Sequence, residues 1–249
     1  MSSATRVTKV RRLVWRPAEL VRTVAETATA HTLTFRVPGW PGHLPGQHVD
    51  VRLTAEDGYT AQRSYSLAAP ADGDLVELTV ENVPDGEVSP YLTEVMEPGD
   101  QIEVRGPVGG WFVWRSASET PVVLVGGGSG IVPLMAMIRA RRQAGNPVPF
   151  RLIYSLRDQD RRYYAGELRR PDPGLDVTYL YTRTAPPGAA RPPGRIALGD
   201  LAEAGFEPGR PDCYVCGPTS FVETAADLLL ALGHPPQRIR TERFGPTGG

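Results

Sequence analysis

Two different hydrophobic patterns divide the chain near residue 117. Before that point, short runs of alternating or β-branched residues predict strands over 31–37, 47–53, 62–68, 75–82 and 101–106. Turn sequences such as Pro38-Gly39 and Asp57-Gly58 separate these runs; residues 10–24 add a candidate strand and 89–95 a candidate helix. Because closing a sheet removes its exposed edges, this half is expected to form a small antiparallel β-barrel.

From residue 121 the pattern changes to buried apolar strands that are each followed by a helix. The predicted strands are 122–125, 150–155, 177–181, 213–216 and 238–244, and the predicted helices are 131–143, 165–170, 198–203 and 220–232. This order is typical of an α/β domain with a five-stranded parallel sheet, which binds ligands beyond the carboxyl ends of its strands. The resulting division is an amino-terminal arm at 1–17, a barrel domain at 18–117 and an α/β domain at 118–249.

Charge and composition exclude several classes of function. The 27 basic and 28 acidic residues nearly cancel, so the chain has no overall field that would attract nucleic acid or an anionic membrane. Lys9 is the only lysine, which argues against a Walker-type phosphate loop and against Schiff-base catalysis. Two cysteines and four scattered histidines are too few for a disulfide framework or an iron–sulfur cluster, and no metal site is expected.

The same sequence predicts a cytoplasmic protein without a membrane span. The amino terminus has scattered charge and lacks the apolar stretch of a secretory signal. The longest uncharged run, 121–138, is interrupted by several glycines and by Pro133, which suits a buried strand, turn and helix. A monomer is expected.

A glycine-rich turn follows the first strand of the α/β domain. Gly126-Gly127-Gly128-Ser129-Gly130 lies between an apolar strand and a helix, where backbone N–H groups can approach a phosphate. The G-x-G-x-x-G spacing of dinucleotide-binding folds fails, because Ile131 or Pro133 stands where the last glycine is required. A plain turn is the alternative.

The strand containing Arg63-Ser64-Tyr65-Ser66 carries chemistry suited to a cofactor. Alternation places Arg63 and Tyr65 on one face and the two serines on the other. An arginine offers a fork for phosphate and a tyrosine a flat face for a ring. An ordinary barrel strand with a surface arginine is the alternative.

Cys213 and Cys216 lie three residues apart on a strand, so their side chains should point to opposite faces rather than form a redox pair. Cys213 is expected in the core. Cys216 is expected at the carboxyl end of the strand, before Gly217-Pro218, in a ligand-facing position, with a buried inert thiol as the alternative.

In this order, these residues resemble the ferredoxin–NADP reductase family of flavoproteins, from about Arg22 to Pro246. The resemblance implies that Arg63 pairs with the flavin phosphates, that Tyr65 stacks on the ring and that Ser66 hydrogen-bonds near N5. It also implies that amides of the loop Gly86-Glu87-Val88-Ser89 hold the pyrophosphate, which favours FAD over FMN. The cofactor residues implied for FAD are Arg63, Tyr65, Ser66, Gly86, Val88, Ser89 and Phe244.

In the second domain, the resemblance implies a site for NADP whose nicotinamide borders Cys216. Phe244 would cover the flavin face that the nicotinamide must occupy, with Glu242 nearby, although a core phenylalanine is the alternative. The catalytic residues implied are Ser66, Cys216, Glu242 and Phe244. Those implied for NADP are Gly127, Gly128, Ser129, Gly130, Pro133, Arg157, Thr182, Arg183, Arg195, Cys216, Gly217 and Pro218.

Charge at the adenosine ribose decides the choice of nucleotide, since arginine suits a 2′-phosphate and a carboxylate suits a 2′-hydroxyl. NADPH is favoured by Thr182-Arg183 and by three further arginines near the same rim, Arg157, Arg191 and Arg195. Asp158 is the contrary signal, because its carboxylate could bind a ribose diol instead.

The implied reaction is hydride transfer from NADPH to FAD, followed by electron transfer to a separate protein. Because this sequence lacks the cysteines of a fused iron–sulfur domain, the acceptor is expected to be a ferredoxin, a flavodoxin or an oxygenase or reductase component. Two alternatives remain: a flavin reductase or diaphorase with small-molecule acceptors, and an electron-transfer subunit active only within a complex. The basic residues Arg6, Lys9, Arg11, Arg12 and Arg16 either dock an acidic carrier or form a solvated arm.

Overall fold

The computed structural model describes residues 13–202, 206–207 and 209–245. Six strands form the first sheet: β1 (Trp15–Ala25), β2 (Ala30–Arg36), β3 (His48–Thr54), β4 (Thr60–Ser66), β5 (Leu75–Glu81) and β6 (Gln101–Val108). Residues 10–12 of the candidate first strand and most of the predicted amino-terminal arm lie outside the described residues. Where a helix was predicted over 89–95, the chain forms a π-helical turn, Tyr91–Val95.

The first sheet is antiparallel throughout, in the order β4-β3-β6-β1-β2-β5. Its two outer strands approach each other through an isolated bridge between Leu67 and Leu78, which confirms the expected barrel. Alternating apolar side chains such as Phe35, Val49 and Leu78 fill the interior and are fully buried. The strand that carries Arg63 to Ser66 is therefore an outer strand of this sheet, close to the bridge.

The second sheet is parallel, in the order β11-β10-β7-β8-β9. Its strands and helices are β7 (Val122–Gly127), α1 (Ile131–Gln143), β8 (Phe150–Leu156), α2 (Ala165–Leu168), β9 (Leu175–Tyr181), α3 (Leu198–Ala202), β10 (Asp212–Pro218), α4 (Thr219–Ala231) and β11 (Ile239–Phe244). The predicted five-stranded α/β domain is confirmed. No described helix is long and apolar enough to cross a membrane.

Each face of the parallel sheet packs against its own apolar cluster. Helices α3 and α4 cover one face, and helix α1 covers the other, together with Ala30 and Ala68 of the barrel. Because α1 lies between the sheet and the barrel, almost all of its side chains are buried and it is not amphipathic in the usual way. Ala30 and Ala68 of the barrel therefore pack into the core on this face of the sheet, while the barrel interior keeps its own apolar cluster.

A group of polar side chains joins the two domains within this core. This polar seam is defined here as Arg139, Tyr164, Glu77, Thr79 and Glu26. Arg139 on α1 forms an ion pair with Glu77 on β5 and donates to the Ala68 carbonyl at 3.0 Å. The Tyr164 hydroxyl donates to Thr79 at 2.5 Å, and its amide donates to Glu26 at 2.8 Å. Buried polar groups with satisfied partners fix geometry, so the seam sets the position of the barrel against the sheet.

Candidate active site

A cleft of about 270 Å³ lies at the carboxyl ends of the parallel strands. The glycine-rich turn forms one side, the ends of β8 and β9 form the rim, and Glu81 of the barrel faces them. This is the edge at which an open parallel sheet binds its ligand. The lining residues are Glu81, Gly127, Gly128, Ser129, Ser155, Leu156, Arg157, Arg161, Tyr163, Thr182, Pro218, Phe221 and Phe244.

The glycine turn needs its glycines for two reasons. Gly128 has a φ of +55°, which side chains disfavour, and the space where its Cβ would point is open. Gly130 packs against β10, since a Cβ there would lie 2.1 Å from the Cys216 carbonyl oxygen. The turn therefore presents bare main chain to the cleft at the start of the 13-residue helix α1, an arrangement that fits a phosphate group.

Of the residues predicted to hold NADP, Gly127, Gly128, Ser129, Arg157, Thr182 and Pro218 line the cleft. Gly130 and Pro133 are buried behind the turn, and Gly217 packs with Gly127 against Phe221. Arg183 and Arg195 are exposed outside the lining. The structure thus separates the predicted set into residues that face the cleft and residues that support it.

The rim near β8 and β9 carries exposed positive charge. Arg157 lines the cleft and takes part in no ion pair within the described ranges. Arg191 is already engaged, because it pairs with Asp200 at 2.7 Å and donates to nearby carbonyls. Asp158 is also engaged, since its carboxylate accepts the Asp160 amide at 3.1 Å and caps a short helical turn.

Three of the four predicted catalytic residues meet where the barrel contacts the sheet. Ser66 ends β4, and Cys216 on β10 is paired in register with Glu242 on β11. Burial raises the pKa of Glu242 to about 7, and the Ser66 hydroxyl, donating toward the carboxylate, partly opposes this rise. Phe244 lies one strand repeat beyond Glu242, is 36% exposed and lines the cleft.

The thiol of Cys216 lies in the buried position that the sequence left open as the alternative to a ligand-facing one. Strand β10 continues to Pro218, and the thiol is fully buried in the core between sheet and barrel. Burial, with the Glu242 carboxylate second, raises its pKa well above the usual value, so the thiol is neutral and a poor nucleophile. Cys213 lies in the cluster on the opposite face, which confirms the predicted alternation.

The flavin strand predicted from Arg63 and Tyr65 has the expected alternation. Burial raises the pKa of Tyr65 to about 12, and the charge of Arg63 on the same face lowers it. Ser64 points to the other face and donates to Asp50 at 2.7 Å. The half-exposed guanidinium of Arg63 can therefore reach a phosphate beside an aromatic ring, which fits a flavin nucleotide.

The loop from Gly86 to Ser89 uses its side chains for folding. Val88 is buried in the barrel core, and the Ser89 hydroxyl accepts the Val83 amide at 3.1 Å. A Cβ on Gly86 would lie 2.9 Å from the Val83 carbonyl oxygen, so the turn requires glycine. The backbone of this loop and the half-exposed side chain of Glu87 are therefore left to face a ligand, and the backbone can make the predicted amide contacts.

Sequence reasoning missed Glu81, Arg161, Tyr163 and Phe221 as cleft residues. Glu81 and Arg161 lie 3.8 Å apart across the two domains, and burial together with the nearby Glu81 carboxylate raises the pKa of Tyr163. Phe221 on α4 fills the groove that Gly127 and Gly217 leave open. These contacts join distant parts of the chain and have no local sequence signal.

Comparison with known proteins agrees with this geometry. The family model described as the oxidoreductase FAD-binding domain matches residues 17–113, and that of the oxidoreductase NAD-binding domain matches residues 124–227. The chain belongs to the ferredoxin–NADP reductase-like family. Its two domains are therefore an oxidoreductase domain that binds FAD and an oxidoreductase domain that binds a pyridine nucleotide.

Individual members of the family are similar over most of this chain. A flavohemoprotein of Pseudomonas putida is 32% identical over 208 residues, which are 81% of this chain and 51% of that protein. The ferredoxin reductase component of 3-ketosteroid-9-alpha-monooxygenase of Mycolicibacterium smegmatis is 33% identical over 243 residues, covering 91% and 64%. This reductase-like chain therefore spans between half and two thirds of the length of these two relatives.

A solved structure shares the two-domain arrangement. The flavohem-like FAD/NAD-binding domain of nitric oxide dioxygenase from Vibrio cholerae O1 biovar El Tor has a TM-score of 0.83 and 25% identity. The match covers 93% of this chain and 99% of that one. The barrel and the parallel sheet thus follow the arrangement of an FAD/NAD-binding unit.

Proposed function

We propose that this chain oxidises NADPH by hydride transfer to FAD and passes the electrons to a separate acceptor protein. The observation that carries the proposal is the meeting of Ser66, Cys216 and Glu242 beside the cleft, at the contact of the FAD and NAD domains. When bound, the flavin supplies the redox chemistry, and the chain supplies position and electrostatics.

On the barrel, Arg63 binds the flavin phosphates, Tyr65 packs on the ring and Ser66 hydrogen-bonds at its reactive edge. The exposed arginine, its aromatic neighbour and the position of Ser66 at the domain contact support this assignment. Gly86, Val88 and Ser89 contribute through their backbone, because Gly86 has no side chain and those of Val88 and Ser89 are engaged in the fold.

On the sheet, the turn Gly127 to Ser129 binds the pyrophosphate and Phe244 shields the junction at the end of β11. Cys216 supports the nicotinamide site as a buried apolar group rather than as a nucleophile, which its neutral thiol favours. Arg157 and Arg183 provide charge for a 2′-phosphate, and the engagement of Asp158 as a cap supports NADPH over NADH.

Glu242 holds a proton close to the reactive edge of the flavin ring. With a pKa of about 7, its carboxyl group exists in both forms near neutral pH, and Ser66 lies next to it. Ser66 and Glu242 together therefore orient and buffer a proton without a separate acid–base triad.

The acceptor is proposed from the relatives. One relative is named as the ferredoxin reductase component of a monooxygenase, which supports a protein acceptor such as a ferredoxin, a flavodoxin or an oxygenase component. Transfer to free flavin or to a small molecule would instead give high turnover without any protein partner.

The test is anaerobic titration of the FAD-loaded protein with NADPH, followed by the flavin absorbance. The proposal expects stoichiometric bleaching by NADPH, a higher kcat/KM for NADPH than for NADH, and slow turnover with free flavin that a carrier protein accelerates. A protein that binds no flavin, or bound flavin that NADPH leaves oxidised, would contradict it.

A further inference from the structure

A carboxylate stands next to the arginine assigned to the flavin phosphates. Glu87 Oε2 lies 3.5 Å from the Arg63 guanidinium, and Glu87 Oε1 accepts the Tyr59 hydroxyl at 2.6 Å. Arg63 also donates to the Gln62 carbonyl at 2.7 Å. The one cation assigned to the phosphates is thus shared with a fixed negative charge.

The loop holds Glu87 at this position. Gly86 on one side closes a tight turn through its amide, which donates to Val83 at 3.0 Å. Val88 on the other side is 1% exposed in the barrel core. With both neighbours anchored, the backbone of Glu87 is held beside Arg63, and its side chain, 47% exposed, is oriented by the Tyr59 hydroxyl.

A negative charge at this point acts on a phosphate in two ways. It competes for Arg63, and it repels the phosphate directly by an amount that grows with the charge of that phosphate. A terminal phosphomonoester carries about −1.5 to −2 charges at pH 7, whereas each phosphate of a pyrophosphate diester carries about one. The penalty is therefore larger for a flavin mononucleotide than for a dinucleotide.

We propose that Glu87 is a specificity determinant that disfavours FMN and thereby favours FAD at the Arg63 site. The inference rests on the proposed function, since it takes the flavin phosphates to lie beside Arg63. Tyr59 contributes as a positioning residue by orienting the Glu87 carboxylate through its hydroxyl.

The experiment measures dissociation constants of riboflavin, FMN and FAD by quenching of flavin fluorescence, for the wild type and for Glu87→Gln. Removing one unit charge at a half-exposed site changes the dissociation constant of a charged ligand by about three- to tenfold. Glu87→Gln should bind FMN about fivefold more tightly and FAD about twofold more tightly, which narrows the preference for FAD. Riboflavin, which has no phosphate, should bind both proteins equally.

Glu56→Gln is the matched control, because Glu56 is an exposed carboxylate on the neighbouring β3–β4 turn. It should leave the FMN to FAD ratio unchanged, and thermal unfolding of each variant checks folding. Weaker FAD binding by Glu87→Gln, or an unchanged FMN to FAD ratio, would overturn the inference while leaving the proposed function standing. Failure of the wild type to bind any of the three flavins would overturn both.

Discussion

The seam and the cleft are both polar, yet they differ in how their polar groups are satisfied. At the seam, Arg139 is 20% exposed and has partners on the barrel and on α2, and Tyr164 is 3% exposed with two partners. At the cleft, Glu81 and Arg161 pair across the domains, but Arg157 is exposed without an ion pair among the described residues, and the space above Gly128 is open. Satisfied groups hold the domains together, and unsatisfied groups are left for a ligand.

This difference predicts that substitutions at the seam lower stability, whereas substitutions at the cleft change nucleotide kinetics and leave stability unchanged. The junction of Ser66, Cys216 and Glu242 lies between the two regions and should affect both properties.

The largest effect is expected at the centre of the seam. Arg139→Met removes the cation that Glu77 and Glu167 share. Glu167 keeps its pair with Arg142, so the mostly buried Glu77 carboxylate carries most of a cost of about 2–4 kcal/mol. Thermal unfolding followed by circular dichroism should show a lower Tm by about 5–12 °C. Arg151→Met removes a pair whose carboxylate, Asp176, is 68% exposed and stays solvated, so it should change the Tm little. Equal losses of Tm in the two variants would contradict the distinction.

The next largest effect is a pH dependence of the free energy of unfolding, which comes from Glu242 at the junction. Because the pKa of Glu242 is about 7 in the folded chain against an ordinary value of 4.5, the folded state keeps a proton that the unfolded chain releases. Stability should therefore fall as pH rises from about 5 to 8.

Glu242→Gln should remove this loss of stability at high pH, because glutamine does not ionise. The variant should match the wild type at pH 5 and exceed its free energy of unfolding by about 1–3 kcal/mol at pH 8, measured by urea denaturation. The exposed Glu119→Gln variant serves as the control and should show no such trend. If the difference in the free energy of unfolding between Glu242→Gln and the wild type is the same at every pH, Glu242 titrates normally and the prediction is wrong.

The smallest effect is expected at the cleft, where a substitution should change the activation free energy of NADPH oxidation and not the free energy of unfolding. Arg157→Ala should lower kcat/KM for NADPH about tenfold, close to 1.4 kcal/mol, with less than about a twofold change for NADH and no change in Tm. Arg115→Ala removes another exposed arginine and should alter neither constant. Equal losses for both nucleotides would mean that Arg157 does not contact the 2′-phosphate.

The features that the sequence predicted well are local ones. The glycine turn at 126–130, the alternation of Arg63 and Tyr65, and the opposite faces of Cys213 and Cys216 each follow from the spacing of nearby residues. The resemblance to a family added Ser66 and Glu242, whose contact across the domains spacing alone does not indicate.

The features that sequence reasoning missed depend on tertiary contacts. Arg139 and Glu77 lie 62 residues apart, and nothing in either neighbourhood marks them as partners. For Cys216 the sequence left a ligand-facing and a buried position open, and only the packing of the barrel against the sheet shows the thiol to be buried. The full burial of α1 likewise follows from the packing of the barrel against the sheet, which no local pattern contains.

The central claim is that the flavin and the nicotinamide meet at the junction that Ser66 defines. The most direct test is stopped-flow absorbance of flavin reduction by NADPH in FAD-loaded Ser66→Ala protein. The claim predicts that FAD stays bound while the reduction rate falls by about tenfold or more, because the hydroxyl at the reacting edge is lost. A variant that binds FAD and is reduced as fast as the wild type would contradict it.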